Sequence, residues 1–225
     1  MTNKSYDFIV IKQGGKILPK NTFFNLHSDK RERIIEAALD EFSKHSYTKS
    51  SINRIVDKSN IAKGSFYQYF DNKKDLFKYI LNIGVEKKLN YMKDFQNNLD
   101  DISIFGILKE INIAGLKFAK DNPRLSKISN ELLKDSNTEL RKEVYGENAY
   151  RSNEFFEGLL KKGIKKGEIK EDLNIKFISY LLTTMMSSVG EYFKPNISEM
   201  SEKEILEPLN QMIDLIENGI KKREG

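Results

Sequence analysis

Apolar residues spaced three and four apart constrain this chain more than any other feature. Ile34, Ile35, Ala38, Leu39 and Phe42 fall on one stripe of a helix. From Asp29 onward nearly every segment repeats that period, and strand-like alternation does not occur. The first helix is expected to end near His45. Ile52, Ile55 and Val56 mark a short second helix, with Ser50 or Ser51 available to cap its N-terminus. Asn60 follows, one of the few non-glycine residues that accepts the left-handed conformation of a tight turn. A third helix is expected over Lys63 to Phe70, and a fourth, capped by Asn72, through Leu76, Ile80, Ile83 and Leu89. Further helices are expected at roughly 101–120, 123–134, 137–164, 174–193 and 202–221, with a stop in the KKGIKKGEI segment at Gly163 and Gly167. No internal repeat is visible. The expected architecture is three short helices and a long connector followed by a helical bundle, about nine helices in all and wholly α.

Composition narrows the chemistry. With 225 residues the chain can bury a core without staples, and it has no Cys, which removes disulfides, thiol nucleophiles and zinc-finger ligands. His27 and His45 are the only imidazoles, so metal sites and His-dependent hydrolysis are disfavoured; no metal or cofactor is expected. The apolar run FISYLLTTMMSSV at residues 177–189 is short of the roughly 18–20 residues of a membrane span. No secretion signal opens the chain, so the expectation is a cytoplasmic protein with no membrane partner. Net charge is +5, and it is uneven: residues 1–27 hold four Lys against one Asp, residues 28–88 thirteen basic against nine acidic, and residues 89–225 twenty-one against twenty-three. A polyanion partner for the first 88 residues explains that asymmetry; so does a solvated lysine face.

The stretch IAKGSFYQYFDNKKDLF, residues 61–77, separates the two readings. On a helix Phe66 and Phe70 share a face that can point inward, while Gly64, Tyr67 and Gln68 occupy another. Four aromatics in five helical positions cannot all face one core. Gly64 costs a helix up to about 1 kcal/mol relative to Ala, which suits a place where a partner comes close to the backbone. Lys63, Lys73 and Lys74 bracket that face with charge, and Ser65, Tyr67, Gln68 and Tyr69 add hydrogen-bonding groups of the kind that meet phosphates and base edges. The third helix reads as a DNA reader.

Residues 33–77, RIIEAALDEFSKHSYTKSSINRIVDKSNIAKGSFYQYFDNKKDLF, resemble the helix-turn-helix domain of the TetR family of transcriptional regulators. The likeness rests on I-x-x-A-A-x-x-x-F in the first helix, K-G-S-F-Y-x-Y-F in the third and K-x-x-L-F in the fourth. It implies an N-terminal three-helix helix-turn-helix domain joined by a long helix to a C-terminal helical bundle that dimerises and holds an effector. It also implies DNA contacts by Ser51 and Arg54, by Lys63, Gly64, Ser65, Tyr67, Gln68 and Tyr69, and by Lys73. Two departures stand out: Asn60 in place of the usual turn Gly, and Ala62 in place of a Ser or Thr cap, a loss of about 1 kcal/mol of capping.

Three segments are expected: an extension over 1–27, the DNA-binding domain over 28–88, and an effector-binding and dimerisation domain over 89–225. The leading MTNKSYDFIVIKQGGKIL fits none of the helical pattern. Its strand-like FIVI and the Gly14-Gly15 turn signal allow a hairpin or a basic arm for a minor groove. The reading preferred over both is a native start at Leu18, read from a TTG codon behind a purine-rich run encoding Gln13-Gly14-Gly15.

The expected function is a homodimeric DNA-binding regulator, a repressor on a pseudo-palindromic operator in double-stranded DNA, released by a small apolar or amphipathic effector. The last two helices are the expected dimer interface, where TTMMSSVG at 183–190 offers small residues and adaptable Met. Met92, Phe95, Phe105, Ile113, Phe118, Tyr145, Phe155 and Phe156 could wall an effector cavity or simply fill a core. The rivals are a DNA-binding protein without an effector and an all-helical enzyme built on Glu131, Glu139, Glu143 and Glu154; no catalytic residue is assigned.

Overall fold

The computed structural model describes residues 11–13, 16–91, 102–134, 138–193 and 199–222; for some of these, including 11–13, 16–18 and 141–152, it describes the backbone alone. A short hairpin, β1 (Ile11–Gln13) and β2 (Lys16–Leu18), pairs antiparallel with Ile11 opposite Leu18. Ten helices follow among the described residues, and they confirm the all-α expectation. They are α1 (Asn21–Phe24), α2 (Ser28–Lys44), α3 (Ile52–Ser59), α4 (Lys63–Tyr69), α5 (Lys73–Asn90), α6 (Ile104–Asp121), α7 (Pro123–Lys134), α8 (Thr138–Lys165), α9 (Ile175–Phe193) and α10 (Glu202–Ile220). Only α1 was unforeseen, because a single turn carries no periodicity. The chain forms two compact units, one of residues 1–87 with 122–141 and one of residues 88–121 with 142–225.

In the first unit the stripe of α2 is buried as its spacing requires: Ile34, Ile35, Ala38 and Phe42 are closed to solvent. Asn60 ends α3 in the left-handed region, φ 53° and ψ 52°. There its N–H donates to the Asp57 carbonyl and the Ile61 N–H to that of Val56, so the tight turn forms without glycine. Asn72 caps α5 by accepting from the Asp75 N–H at 3.0 Å. α7 belongs to this unit too. It packs on α2, and Arg124 at its start donates to Glu36 of α2 at 2.6 Å.

The core of the second unit is built from Ile104, Phe105, Ile107 and Leu108 of α6, Phe156, Leu159 and Leu160 of α8, Leu182 of α9, and Ile213, Ile216 and Ile220 of α10. The helix stop expected in the KKGIKKGEI segment falls at Gly167. There φ is +75°, the Glu168 N–H donates to the Gly163 carbonyl and the Gly167 N–H to that of Ile164, the two bonds of a left-handed C-terminal cap. Gly163 has a different reason to be small. A Cβ there would meet Ile104 Cγ1 and Ile169 Cδ1 at 2.7 Å, so it lets those side chains approach the helix.

Candidate nucleic-acid interface

The reading helix is built by its turn and by its aromatics. The Asn60 turn sends the chain from α3 into α4, and Phe66 and Phe70 anchor α4 with no exposed surface. The opposite face looks outward: Lys63, Gly64 and Gln68 are exposed and Tyr67 is 44% exposed. A Cβ built on Gly64 would touch nothing within 4 Å, so nothing inside the protein demands glycine at that position. Ala62 at the N-cap makes no side-chain bond to the helix, as its side chain dictates. The first-turn amides of α4 therefore keep the electropositive character that suits a phosphate.

Tyr69 departs from the expectation of a DNA contact. It is 5% exposed, its ring 6.0 Å from that of Phe23 and its face 5.9 Å from the Lys30 ammonium. Four aromatics cannot share a core that lies on one side of α4, but three of them, Phe66, Tyr69 and Phe70, are buried here. Phe23 of α1 supplies a second wall, with centroids 5.0 Å from Phe70 and 5.5 Å from Tyr79, and the buried surface wraps around α4 to include Tyr69. Phe23, Lys20 and Thr22 are functional candidates that the sequence reading passed over. The adjacent Phe23-Phe24 pair ahead of a charged helix start was the available signal.

Three further expected contacts hold structural positions. Ser51 sits at the N-cap of α3 but its side chain makes no cap bond. Instead its N–H donates to Glu41 Oε1 at 2.8 Å. Arg54 is exposed, yet its guanidinium donates to both Glu41 oxygens, Nε at 3.0 Å to each, and through Nη2 to the Lys49 carbonyl at 2.8 Å. Burial alone would push the Glu41 carboxyl up; the bonds from Arg54 and the Ser51 N–H outweigh it and hold it below the ordinary carboxylate value. Lys73 lies over the Tyr47 ring at 4.5 Å and donates to the Tyr47 and Ser50 carbonyls at 2.7 and 2.9 Å. Its ammonium thus pins the α2–α3 loop to the start of α5, a role beyond the phosphate contact expected of it. Ser65 is half-buried, its N–H bonded to the Ala62 carbonyl at 2.9 Å.

In the second unit, Phe105, Phe118 and Phe156 are buried, Ile113 packs with Leu116, Phe193 and Leu209, and Phe155 is 45% exposed. Met92, Phe95 and the Tyr145 side chain lie outside the described residues. Polar groups enter this interior as well. Asn112 donates to the Leu108 carbonyl at 2.9 Å and lies 2.8 Å from Met186 Sδ, and Thr183 donates to Asn153 Oδ1 at 2.6 Å. Met185 and Met186 are half-buried and pack against this core. A shallow apolar depression of about 230 Å³ is lined by Val189, Tyr192, Phe193, Pro208 and Leu209. Of the carboxylates weighed for catalysis, Glu139 and Glu154 are exposed, Glu131 is half-buried and the Glu143 side chain lies outside the described residues. Among the described residues no acidic or His cluster could hold a metal, and no helix is long and apolar enough to cross a membrane.

Known proteins share both units. The model of bacterial regulatory proteins of the tetR family matches residues 34–80, and that of the tetracyclin repressor-like C-terminal domain matches residues 102–221. A TetR family transcriptional regulator from Chloroflexus aurantiacus is 30% identical; the match covers 92% of this chain and all of that one, with a TM-score of 0.69. The transcriptional regulator FadR from Bacillus subtilis, solved in complex with stearoyl-CoA, is 22% identical over 84% of this chain and 98% of its own, with a TM-score of 0.67, and shares the fold. The fatty acid metabolism regulator protein of Bacillus subtilis is 24% identical over 192 residues, 84% of this chain and 94% of that protein.

Proposed function

The chain belongs to the TetR family of bacterial regulatory proteins and is a DNA-binding transcriptional regulator; on that premise we propose that two copies, joined through α9 and α10, repress from a pseudo-palindromic operator and are released by an amphipathic small molecule. In this reading residues 28–88 read DNA, residues 89–225 hold the effector and the partner copy, and residues 1–27 are an extension. The observation that carries it is the outward face of α4, where Lys63, Gly64, Tyr67 and Gln68 stand exposed over buried Phe66 and Phe70. Lys63 and the first-turn amides suit phosphate, and the Gln68 amide suits adenine in the major groove. One seven-residue helix reads too few base pairs, so two heads about 34–36 Å apart are needed.

Support for the partner copy comes from an apolar stripe on α9. Phe177, Tyr180, Leu181 and Tyr192 are 56, 58, 38 and 72% exposed, with Leu215 of α10 at 68%. Monomers rarely expose that much clustered aromatic surface. Support for the effector comes from the polar groups of Asn112, Asn153 and Thr183 within a largely apolar unit, a mixture suited to an amphipathic ligand. The names of the Bacillus subtilis relatives point to fatty acyl chemistry, so long-chain acyl-CoA thioesters head the panel to be tried.

The test begins by selecting an operator from a random duplex library with the purified chain. A pseudo-palindrome, a dimer in sedimentation and loss of operator binding on adding an acyl-CoA thioester are expected. Selection of no sequence overturns the DNA reading. A selected operator with no response to acyl-CoA or to a broad hydrophobic library favours a regulator without an effector.

A further inference from the structure

Resting on the DNA-reading role of α4, we infer that residues 20–23, ahead of the family-matched segment, position the reading helix by capping its C-terminus from the N-terminal side of the chain. A seven-residue helix such as α4 cannot hold itself in place. Two turns are too short to be stable in isolation, and the last carbonyls of any helix have no intrahelical partner. The N-terminal end of α4 carries no side-chain cap, since Ala62 has nothing to offer. That is the end that meets phosphate in a DNA reader, so order has to come from the other end.

The carbonyls there are all satisfied. Phe66 O accepts from the Phe70 N–H at 2.9 Å, within the local chain. The next three are met from residues 20–22: Tyr67 O accepts from Lys20 Nζ at 2.9 Å, Gln68 O from the Thr22 hydroxyl, and Tyr69 O from the Lys20 N–H at 3.0 Å. Lys20 also pairs with Asp71 at 2.7 Å, just past the helix. Phe23 then locks the strap by inserting its ring between Tyr69, Phe70 and Tyr79. Two of the pinned peptide units carry Tyr67 and Gln68, the side chains that face outward. A hydrogen bond on each fixes the direction in which these readers point, and the Lys20 ammonium offsets the partial negative charge of the helix end. Lys20 and Thr22 are positioning residues: they donate to the last carbonyls of α4, and the base pairs are met by its outward face.

Operator affinity, random-duplex affinity, salt slope, melting and amide exchange are measured on the full chain carrying Thr22→Val, Thr22→Ser, Lys20→Met or Lys20→Arg. The probes are the operator selected by the unaltered protein and a random-sequence duplex. Thr22→Val removes the bond to Gln68 O, and Lys20→Met removes the bond to Tyr67 O together with the Asp71 pair; each is expected to weaken operator binding roughly fivefold or more per half-site. Random-duplex binding should change less, and exchange over residues 64–70 should quicken while the rest of the unit keeps its protection. Thr22→Ser and Lys20→Arg restore the donor and should restore binding. The salt slope should stay constant, because a cap neutralises no phosphate. Unchanged operator affinity in folded Thr22→Val and Lys20→Met overturns the inference. So does a loss that Thr22→Ser and Lys20→Arg share, or a slope for Lys20→Met lower by about one per half-site, which would make Lys20 a phosphate contact. Failure of the unaltered protein to select any sequence is a different result, and it refutes the DNA-reading role itself.

Discussion

Replacing Gly64 by alanine sets stability against function in a way the structure decides. A Cβ at this position meets nothing within 4 Å, so the protein itself has no objection to it. Alanine is favoured over glycine in a helix by up to about 1 kcal/mol, and roughly half of that is a fair share for a first-turn position. For a unit of this size that corresponds to a melting temperature higher by about 2–4 °C. DNA would experience the opposite. The methyl extends about 1.5 Å from Cα, so a phosphate or sugar in contact with that Cα has to retreat by a similar distance. Hydrogen bonds near 2.9 Å do not survive such a shift, and Gln68 one turn on would lose its base contact. Loss of about 1–3 kcal/mol per half-site follows, roughly tenfold or more. The assay pairs calorimetry with fluorescence anisotropy on the selected operator. A Gly64→Ala protein that melts higher and binds as tightly as before shows that DNA does not approach α4 at Gly64. One that melts lower shows that the open space is not open.

Other outcomes follow from the same geometry. Gln68→Ala should cost about 1–3 kcal/mol per half-site and relax preference at one base pair, read by repeating the operator selection; an unchanged consensus refutes the base contact. Lys73→Ala should lower the melting temperature, because Lys73 ties the Tyr47 and Ser50 carbonyls, and should also lower the salt slope by about one per half-site; a slope that does not move leaves it a structural residue only. Gly158→Ala, with open space around it, should stabilise α8 by about 0.5–1 kcal/mol, while Gly163→Ala in the same helix should destabilise by about 1–3 kcal/mol through collision with Ile104 and Ile169; urea melts that rank the two the other way defeat the packing argument. Because the Glu41 carboxyl is held below its ordinary value of 4.5, its stabilising contribution is present in full above that pH and is lost as pH falls through the lower folded value. Melting curves from pH 7 to 3 should therefore steepen below about 4.5 for the unaltered protein and be flatter for Glu41→Gln, and parallel curves would count against this.

The helices were legible because burial imposes a period, and α2 with Ile34, Ile35, Ala38 and Phe42 obeys it. The left-handed Asn60 and the capping Asn72 were legible because both effects are local to the side chain. The roles of Lys73 and Arg54 were not, since their partners lie 26 and 13 residues away and no short pattern records such pairing. Tyr69 was misplaced for a related reason: the wall that buries it comes from Phe23, on a one-turn helix with no period of its own. In the second unit Phe105 and Phe156 show why an effector site resists reading from sequence. A large apolar side chain at helical spacing serves a filled core and a cavity wall equally well, and both of these are core.

Lys20 bonds to Tyr67 across 47 residues of sequence, and that separation sets a clock during synthesis. The strap leaves the ribosome first yet has no place to rest until α4 and Tyr79 have followed. At about 5–20 residues per second the wait is roughly 3–12 s. Through that interval Phe23 is an exposed aromatic, and α4, once made, holds its last carbonyls bare until the strap folds back. A chain stalled short of Tyr79 contains the entire α4 sequence but lacks one side of the pocket that receives Phe23. Its ability to grip DNA should therefore arise late and abruptly, when the residues that close the pocket emerge, rather than when the reading helix itself is complete.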